Sequence, residues 1–292
     1  MLLLDDFHDI VVRDEPLARH TYFRLGGPAE FFVRPRNLDE LAAIVRRCLE
    51  NDIPMHTLGG GSNVLARDEG VRGVVLHLAD EEFSNVRVEG TTVKAGAAAL
   101  LSHVISQSVR AGLAGLENLV GIPGTVGGAL HMNAGGRAGD IGQFVIDATV
   151  MNAHGDIETR GRDDLSFAYR QSNLDEPVIL AGGFELEQDD PGEIARRMRK
   201  LWILKKAGQP LSFQSAGCIF KNPRELSAGS LIDQAGLKGT RVGKAEISER
   251  HANFIVAQEG ATSQDVLRLI DLARSRVAER CGIELELEIK IW

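Results

Sequence analysis

The sequence has no apolar run approaching the roughly 20 residues that cross a bilayer, few cysteines, and no surplus of cations. The first absence argues against a membrane span. The opening stretch, "MLLLDDFHDI", places three leucines before two aspartates. It lacks the basic stretch and long apolar core of a signal peptide. The three cysteines, Cys48, Cys218 and Cys281, are odd in number and widely scattered, so no disulfide framework is expected. They fit a reducing, cytoplasmic setting. A net charge of −8 argues against a nucleic-acid binder, because phosphate backbones call for clustered Lys and Arg. One cationic cluster exists, "RRMRKLWILKK" at 196–206, and it reads first as the solvated face of a helix, second as a local anion site.

Glycine is abundant: 32 of 292 residues, against an average near 7%. It clusters at 59–61, 112–128, 135–139, 182–183 and 236–243 instead of forming a flexible linker. Clustered glycine between periodic segments points to backbone in close approach to a ligand. The length allows two domains.

Periodicity organises the chain. "AEFFVRP" reads as a strand, then 37–52 as a helix with apolar positions 38, 41, 44, 45, 48 and 49, capped by Asn37 with Glu40 three residues on. "IPMHTLG" follows as a strand, completing a β-α-β unit that runs into a glycine run. "RGVVLHL" and "PVILAGGFELE" read as strands, "VRVEGTTVKAG" and "VIDATVMNAHGDIETR" as hairpins turning at Glu-Gly and His-Gly. The pattern predicts helices over 100–112, ending at Gly112, and over 194–208. A domain boundary is expected near 190–200, at Asp189, Asp190 and Pro191. Beyond it, 263–281 reads as a helix with a Thr262/Asp265 capping box, and 283–291 as a strictly alternating last strand.

"LGGGSNVL" (58–65) follows a strand and can line backbone N–H groups against phosphate oxygens, with Ser62 and Asn63 adding side-chain donors. It is neither a P-loop nor G-x-G-x-x-G, since position 64 is valine. A second glycine-dense run, "ENLVGIPGTVGGALHMNAGG" (117–136), joins it. Singly, each reads equally well as a tight connector. Together they favour a large flat ligand with a diphosphate, and FAD fits that description.

Seven motifs stand in one order: "HTYFRLGGPAEFF", "LGGGSNVL", "GLENLVGIPGTVGGALHMNAGG", "FAYRQSNL", "SAGCIFKNP", "LIDQAGLKG" and "LELEI". In this the chain closely resembles the UDP-N-acetylenolpyruvoylglucosamine reductase family from about residue 16 to the end. The resemblance implies an α+β fold: an FAD-binding domain of the vanillyl-alcohol-oxidase type over 1–193, in two subdomains of about 1–78 and 79–193, and a smaller substrate domain over 194–292. It implies non-covalent FAD, because no histidine stands in the glycine loop, with NADPH as co-substrate and no metal. Leu58, Gly59, Gly60, Gly61, Ser62 and Asn63 would hold the FAD diphosphate. Ile122, Pro123, Gly124, Thr125, Gly128, Asn133, Ala134 and Gly135 would lie along the rest.

The implied reaction reduces the enolpyruvyl ether of a UDP-sugar to a lactyl ether in peptidoglycan precursor synthesis. Hydride goes to C3 and a proton to C2. Arg170 in "FAYR" matches an arginine that forks onto the enolate, although alone it reads as a surface arginine in a turn. Cys218 in "SAGCIFKNP" matches the proton donor, which is serine in many members. A thiol with a pKa of about 8.5 is protonated at neutrality and gives its proton up more readily than an alcohol. Taken alone, a cysteine after glycine more often packs as a small hydrophobe. Glu288 in "LELEI" matches a glutamate that hydrogen-bonds the enolate, which calls for a protonated carboxyl. Alternation alone does not separate Glu288 from Glu286.

Tyr169 and Asn222 are expected to contact substrate, and Lys205, Lys206 and Gln209 are unranked candidates for its diphosphate. Only about twenty residues separate "FAYRQSNL" from the helix near 194, which implies the form lacking an extra tyrosine-bearing loop. The expected partner is this small molecule, with no nucleic acid and no membrane. The oligomeric state is left open, a monomer being the working expectation. The alternative activity is that of another flavin oxidase of the same fold, acting on a sugar or lactone.

Overall fold

The computed structural model describes residues 4–136, 138–224 and 226–292. The chain divides into two compact units. One comprises Met1–Arg13, Glu30–Gly60 and Arg72–Leu204, the other Asp14–Ala29, Gly61–Val71 and Lys205–Trp292. The compact units are thus not the contiguous segments 1–193 and 194–292. The reason is long-range pairing. Val64–Leu65 lies parallel to Lys290–Ile291, and the Asp68 carboxylate accepts the Ser263 N–H at 2.9 Å. Such bonds join residues about 200 positions apart in the chain and leave no local pattern.

In the first unit, the β-α-β unit forms as expected. The Asn37 side chain accepts the Glu40 N–H and starts helix α1, Leu38–Glu50. Its apolar face buries Leu41, Ile44, Val45 and Cys48 among Phe31, Val33, Val74 and Leu76. Each such aliphatic side chain, fully buried, contributes about 1.5–3 kcal/mol. Met55–Leu58 runs parallel to Val71–His77, Met55 opposite Val74, and the glycine loop leaves its end.

A five-stranded antiparallel sheet makes the second layer. Its order is Ile157–Gly161, Val145–Met151, Val178–Glu185, Thr92–Gly96, Val86–Glu89. Both predicted hairpins lie in it. The first turns on Gly90 and Thr91, one residue later than expected, because Gly90 takes the left-handed φ of +62°. Helices α2 (Leu101–Arg110) and α3 (Val126–His131) add Val104, Ile105, Val126 and Leu130 to the core of this layer. Gly112 follows α2 at φ +70°, as the C′ position requires.

Helix α4, Pro191–Gly208, carries the basic cluster, and Ile194 is its one buried residue among those described. Arg197 pairs with the buried Glu117 at 3.1 Å and with Asp189 at 2.8 Å. This pairing holds the Asp189 carboxyl below the usual carboxylate range. Arg196 pairs with Glu193. The cluster is a largely solvated helix face on which Arg196 and Arg197 are ion-paired.

In the second unit, a three-stranded antiparallel sheet, Arg241–Val242, Ala245–Ile247 and Ile255–Ala257, packs with α5 (Ala228–Gln234) and α6 (Ser263–Cys281). The capping box on α6 is present with both of its bonds. Val266, Leu269, Ile270, Ala273 and Val277 face the core. The alternating last strand is shorter than 283–291 predicts. Ladder pairing covers Lys290–Ile291, and Leu287 bridges Phe220. The alternation itself holds, with Leu285 and Ile289 buried and Glu284 and Glu286 exposed. The segment is shared between two partners, and the double donation of the Glu288 and Ile289 N–H groups to one carbonyl breaks the regular ladder.

No cysteine is in a disulfide. Burial pushes the Cys48 thiol up to about 11 from an ordinary 9.0. The fold holds this proton more tightly than the open chain does. Its contribution to stability is therefore complete below about pH 9 and declines as pH rises toward 11. At pH 8 Cys48 is expected to resist iodoacetamide in the native protein and to react on denaturation. Peptide mass mapping checks this, and native-state labelling of Cys48 contradicts it.

Candidate functional site

The first unit brings the two glycine runs together. A Cβ on Gly59 would lie 2.6 Å from the Thr125 hydroxyl, and one on Gly60 would lie 3.0 Å from the Gly124 Cα. Main chain therefore packs on main chain, and side chains at 59 and 60 would part the two loops. Gly128 differs. It is exposed, and a Cβ there would meet only the Thr125 hydroxyl, at 3.8 Å. Protein packing does not require glycine at 128, but a flat group lying on the backbone would. Exposed backbone at Gly128, in the same run as the Gly124–Thr125 stretch that packs on Gly59 and Gly60, fits a dinucleotide cofactor of the kind expected.

The other expected cofactor contacts divide by what their side chains do. Leu58 is 1% exposed, so a ligand meets only its backbone. Ile122 packs against the core. Pro123 is exposed, and Ala134 is half-buried against the same core. The buried Asn133 holds the left-handed φ of +44°. Its Nδ2 donates to the Ala168 carbonyl at 2.9 Å and its Oδ1 accepts the Gly142 N–H at 3.0 Å. Its amide is thus a fastener between the second glycine run and the arginine motif. Gly135 pairs with Asp140, whose side chain a Cβ would strike at 2.5 Å.

Arg170 lies in the tight turn between Phe167–Ala168 and Gln171–Ser172. Its φ is +57°, a region costly for a residue with a side chain. Its Nη1 donates to the Gly135 carbonyl at 2.8 Å, and its guanidinium carbon lies 5.4 Å from the centre of the Tyr169 ring. Tyr169 is 53% exposed. The arginine and the cofactor run are therefore hydrogen-bonded neighbours in this unit, a relation that the sequence spacing of 35 residues hides.

The second unit holds the remaining candidates. Gly61 has φ +63°, and a Cβ there would stand 2.0 Å from the His20 carbonyl oxygen. The Tyr22 N–H donates to the Gly61 carbonyl at 2.9 Å. Ser62 is half-buried. Asn63 differs from expectation in one respect. Its Nδ2 donates to the Glu288 carbonyl at 2.9 Å, and its own carbonyl accepts the Lys290 N–H at 3.0 Å. The side chain ties the loop to the last segment through one of its two amide N–H groups.

Cys218 and Glu288 are brought together. Cys218 bridges Phe254, and the next residue, Ile219, offers its carbonyl to the Glu288 N–H at 2.8 Å. Both side chains are half-buried. The structure also separates Glu288 from Glu286. Glu286 projects into solvent and pairs with Lys221 at 2.5 Å, its side chain 72% exposed. Asn222 accepts the Ala228 N–H on Oδ1 at 3.0 Å and so starts the turn into α5. Lys205 lies in the last turn of α4, where the Arg250 guanidinium donates to the Gln209 carbonyl at 3.2 Å. The side chains of Lys205 and Gln209 are half-buried.

Sequence reasoning passed over Glu117, whose buried carboxylate accepts from Arg197 and from the Gly115 N–H at 2.5 Å. Its place inside the second glycine run was the available signal. No helix among the described residues is long and apolar enough to cross a membrane.

Residues 209–292 match the family described as UDP-N-acetylenolpyruvoylglucosamine reductase, C-terminal domain, and residues 29–161 match FAD binding domain. The UDP-N-acetylenolpyruvoylglucosamine reductase of Heliobacterium modesticaldum is 43% identical over 98% of this chain and 92% of that protein. The crystal structure of UDP-N-acetylenolpyruvylglucosamine reductase (MurB) from Thermus caldophilus superposes with a TM-score of 0.84 at 40% identity. The match covers 97% of this chain and 98% of that one. A glucose oxidase variant of Phl p 4 shares the fold alone, with TM-score 0.51 and 15% identity over 65% of this chain and 44% of that one.

Proposed function

The chain belongs to the UDP-N-acetylenolpyruvoylglucosamine reductase family, and on that footing we propose that it reduces the enolpyruvyl ether of a UDP-sugar to the lactyl ether of a peptidoglycan precursor. The cofactor is FAD, bound non-covalently, and NADPH is the co-substrate. The observation that carries the reading is the hydrogen-bonded pairing of the Cys218 segment with the Glu288 segment. Work in the cytoplasm belongs to the same reading, in keeping with three cysteines outside any disulfide. The division of labour is also proposed: residues 58–63 and 122–135 cradle the cofactor, and the C-terminal region receives the sugar nucleotide.

When bound, FAD supplies the hydride that NADPH provides and that C3 of the enolpyruvyl group accepts. The chain's own residues manage the charge and the proton. Arg170, set by its turn and by Gly135, neutralises negative charge on the carboxylate and enolate oxygens. The Cys218 thiol gives its proton to C2, forming the new C–H bond, and the thiolate is reprotonated from solvent. Glu288 donates a hydrogen bond to the enolate. Tyr169, Asn222, Lys205 and Gln209 bind the sugar nucleotide.

One experiment separates this from an oxidase of the same fold. Without oxygen, purified protein should consume NADPH and the enolpyruvyl UDP-sugar in equal amounts. Turnover of a sugar in air without NADPH would favour the oxidase.

The last segment offers a second check. Glu286→Gln removes a solvent-exposed ion pair worth at most about 1 kcal/mol and should leave kcat within about twofold. Glu288→Gln should lower kcat by about 10²-fold. Steady-state rates of both variants decide it. The reverse ranking would move the catalytic carboxyl to residue 286.

A further inference from the structure

We propose that Asn253 is a positioning residue for the Cys218 thiol, an inference that rests on Cys218 as proton donor. Asn253 is 2% exposed. Its Oδ1 accepts the Phe220 N–H at 2.9 Å and its Nδ2 donates to the Phe220 carbonyl at 2.8 Å. Its main-chain carbonyl accepts the Ile219 N–H at 2.9 Å. One residue thus holds three polar groups of the two residues that follow Cys218. Phe220 is itself 1% exposed, so its N–H and carbonyl have no recourse to water. An amide is the side chain this site demands, since it offers an acceptor and a donor in one plane. The Phe220 N–H fixes which end is oxygen.

The effect reaches the thiol through register. On the opposite edge of the segment, Ile219 takes the Glu288 N–H and Lys221 donates to the Glu286 carbonyl at 2.8 Å. Asn253 holds one edge, the last segment holds the other, and Cys218 is fixed between a glycine at φ +76° and this doubly bonded pair. Loosening the Asn253 edge lets the segment shift, and proton delivery depends on placing the thiol to a fraction of an ångström.

Asn253→Asp provides the test, because it preserves shape and makes one bond depend on pH. As a protonated acid it can still donate to the Phe220 carbonyl. As a carboxylate it faces that carbonyl with no proton. The ionisable and charged groups nearby are Cys218 and Glu288 on the segment itself, His251, whose Nδ1 accepts the Asn253 N–H at 3.2 Å, Lys238, which acts on that ring, and the Lys221–Glu286 pair. Burial pushes the His251 ring below its usual range, with Lys238 a lesser contributor. All six are common to wild type and variant, and the difference between their profiles isolates position 253.

NADPH-reduced holoenzyme is mixed anaerobically with the enolpyruvyl UDP-sugar. For Asn253→Asp, reoxidation relative to wild type should fall at least about tenfold between about pH 6 and pH 9. Reduction by NADPH should be unchanged. In the apoprotein, amides 219–221 of Asn253→Ala should exchange at least about tenfold faster than wild type, with α6 unaffected. If that variant does not fold, Asn253→Asp carries the same exchange measurement. Adding Asn253→Ala or Asn253→Asp to Cys218→Ala should slow reoxidation no further. Parallel pH profiles, unchanged exchange, or a multiplicative double variant would overturn the proposal. Normal reoxidation by Cys218→Ala alone, with Asn253 intact, would instead remove the proton donor itself, and this inference with it.

Discussion

Replacing Arg170 with lysine is expected to slow reoxidation of the reduced enzyme by the UDP-sugar by about 10²–10³-fold, the usual cost of one preorganised charge at a developing oxyanion. Lysine keeps the positive charge but not the planar fork, and it cannot match two carboxylate oxygens at once. The structure makes this a test of chemistry more than of folding. Arg170 pays its backbone cost at φ +57° whatever side chain it bears, since lysine and alanine meet the same steric penalty there. The variant loses the bond to the Gly135 carbonyl, worth about 1 kcal/mol, and the guanidinium contact with the Tyr169 ring. Thermal unfolding should therefore shift by a few degrees and flavin content should hold. Arg170→Lys turning over at the wild-type rate would remove the arginine from the reaction.

Removing the Cys218 thiol should have the second large effect. Cys218→Ala removes the thiol proton at this position, and loss of a general acid costs about 10²–10⁴-fold. The loss should fall on the step that consumes the sugar and spare reduction by NADPH. Cys218→Ser should retain much of the activity, because a hydroxyl on the same backbone still carries a proton to the same place. That backbone is well fixed: Cys218 bridges Phe254, and Ile219 bonds Asn253 and Glu288 on opposite sides. Alanine fills the position without disturbing those main-chain bonds, so a slow variant reports chemistry. Rapid-mixing absorbance of both half-reactions makes the distinction. Normal reoxidation by the alanine variant would return Cys218 to a packing role.

The elements legible in the sequence are those whose causes are local. The Asn37 cap, the apolar stripe of α1, the Thr262/Asp265 box and the left-handed Gly112 each operate within a few residues, and each formed. The last strand was legible only in its alternation. Its length was set by Ile219, Phe220 and the Val64–Leu65 strand, whose distance along the chain no window spans. The compact units were hidden for the same reason, since 14–29 and 61–71 join a unit whose remainder begins at residue 205. Among the candidate residues, type and motif order pointed to Arg170, Cys218 and Glu288. Motif order did not show that the Asn63 and Asn133 amides each donate to a protein carbonyl. A donor's partner is a tertiary fact, and an asparagine in a glycine run looks the same with either use.

Sequential anaerobic mixing tests the central claim most directly. Purified protein should be yellow, lose its flavin absorbance on adding one equivalent of NADPH, and recover it on adding the enolpyruvyl UDP-sugar. A colourless protein that takes up no FAD, or a reduced flavin that recovers its colour with air but not with the sugar, would contradict the account.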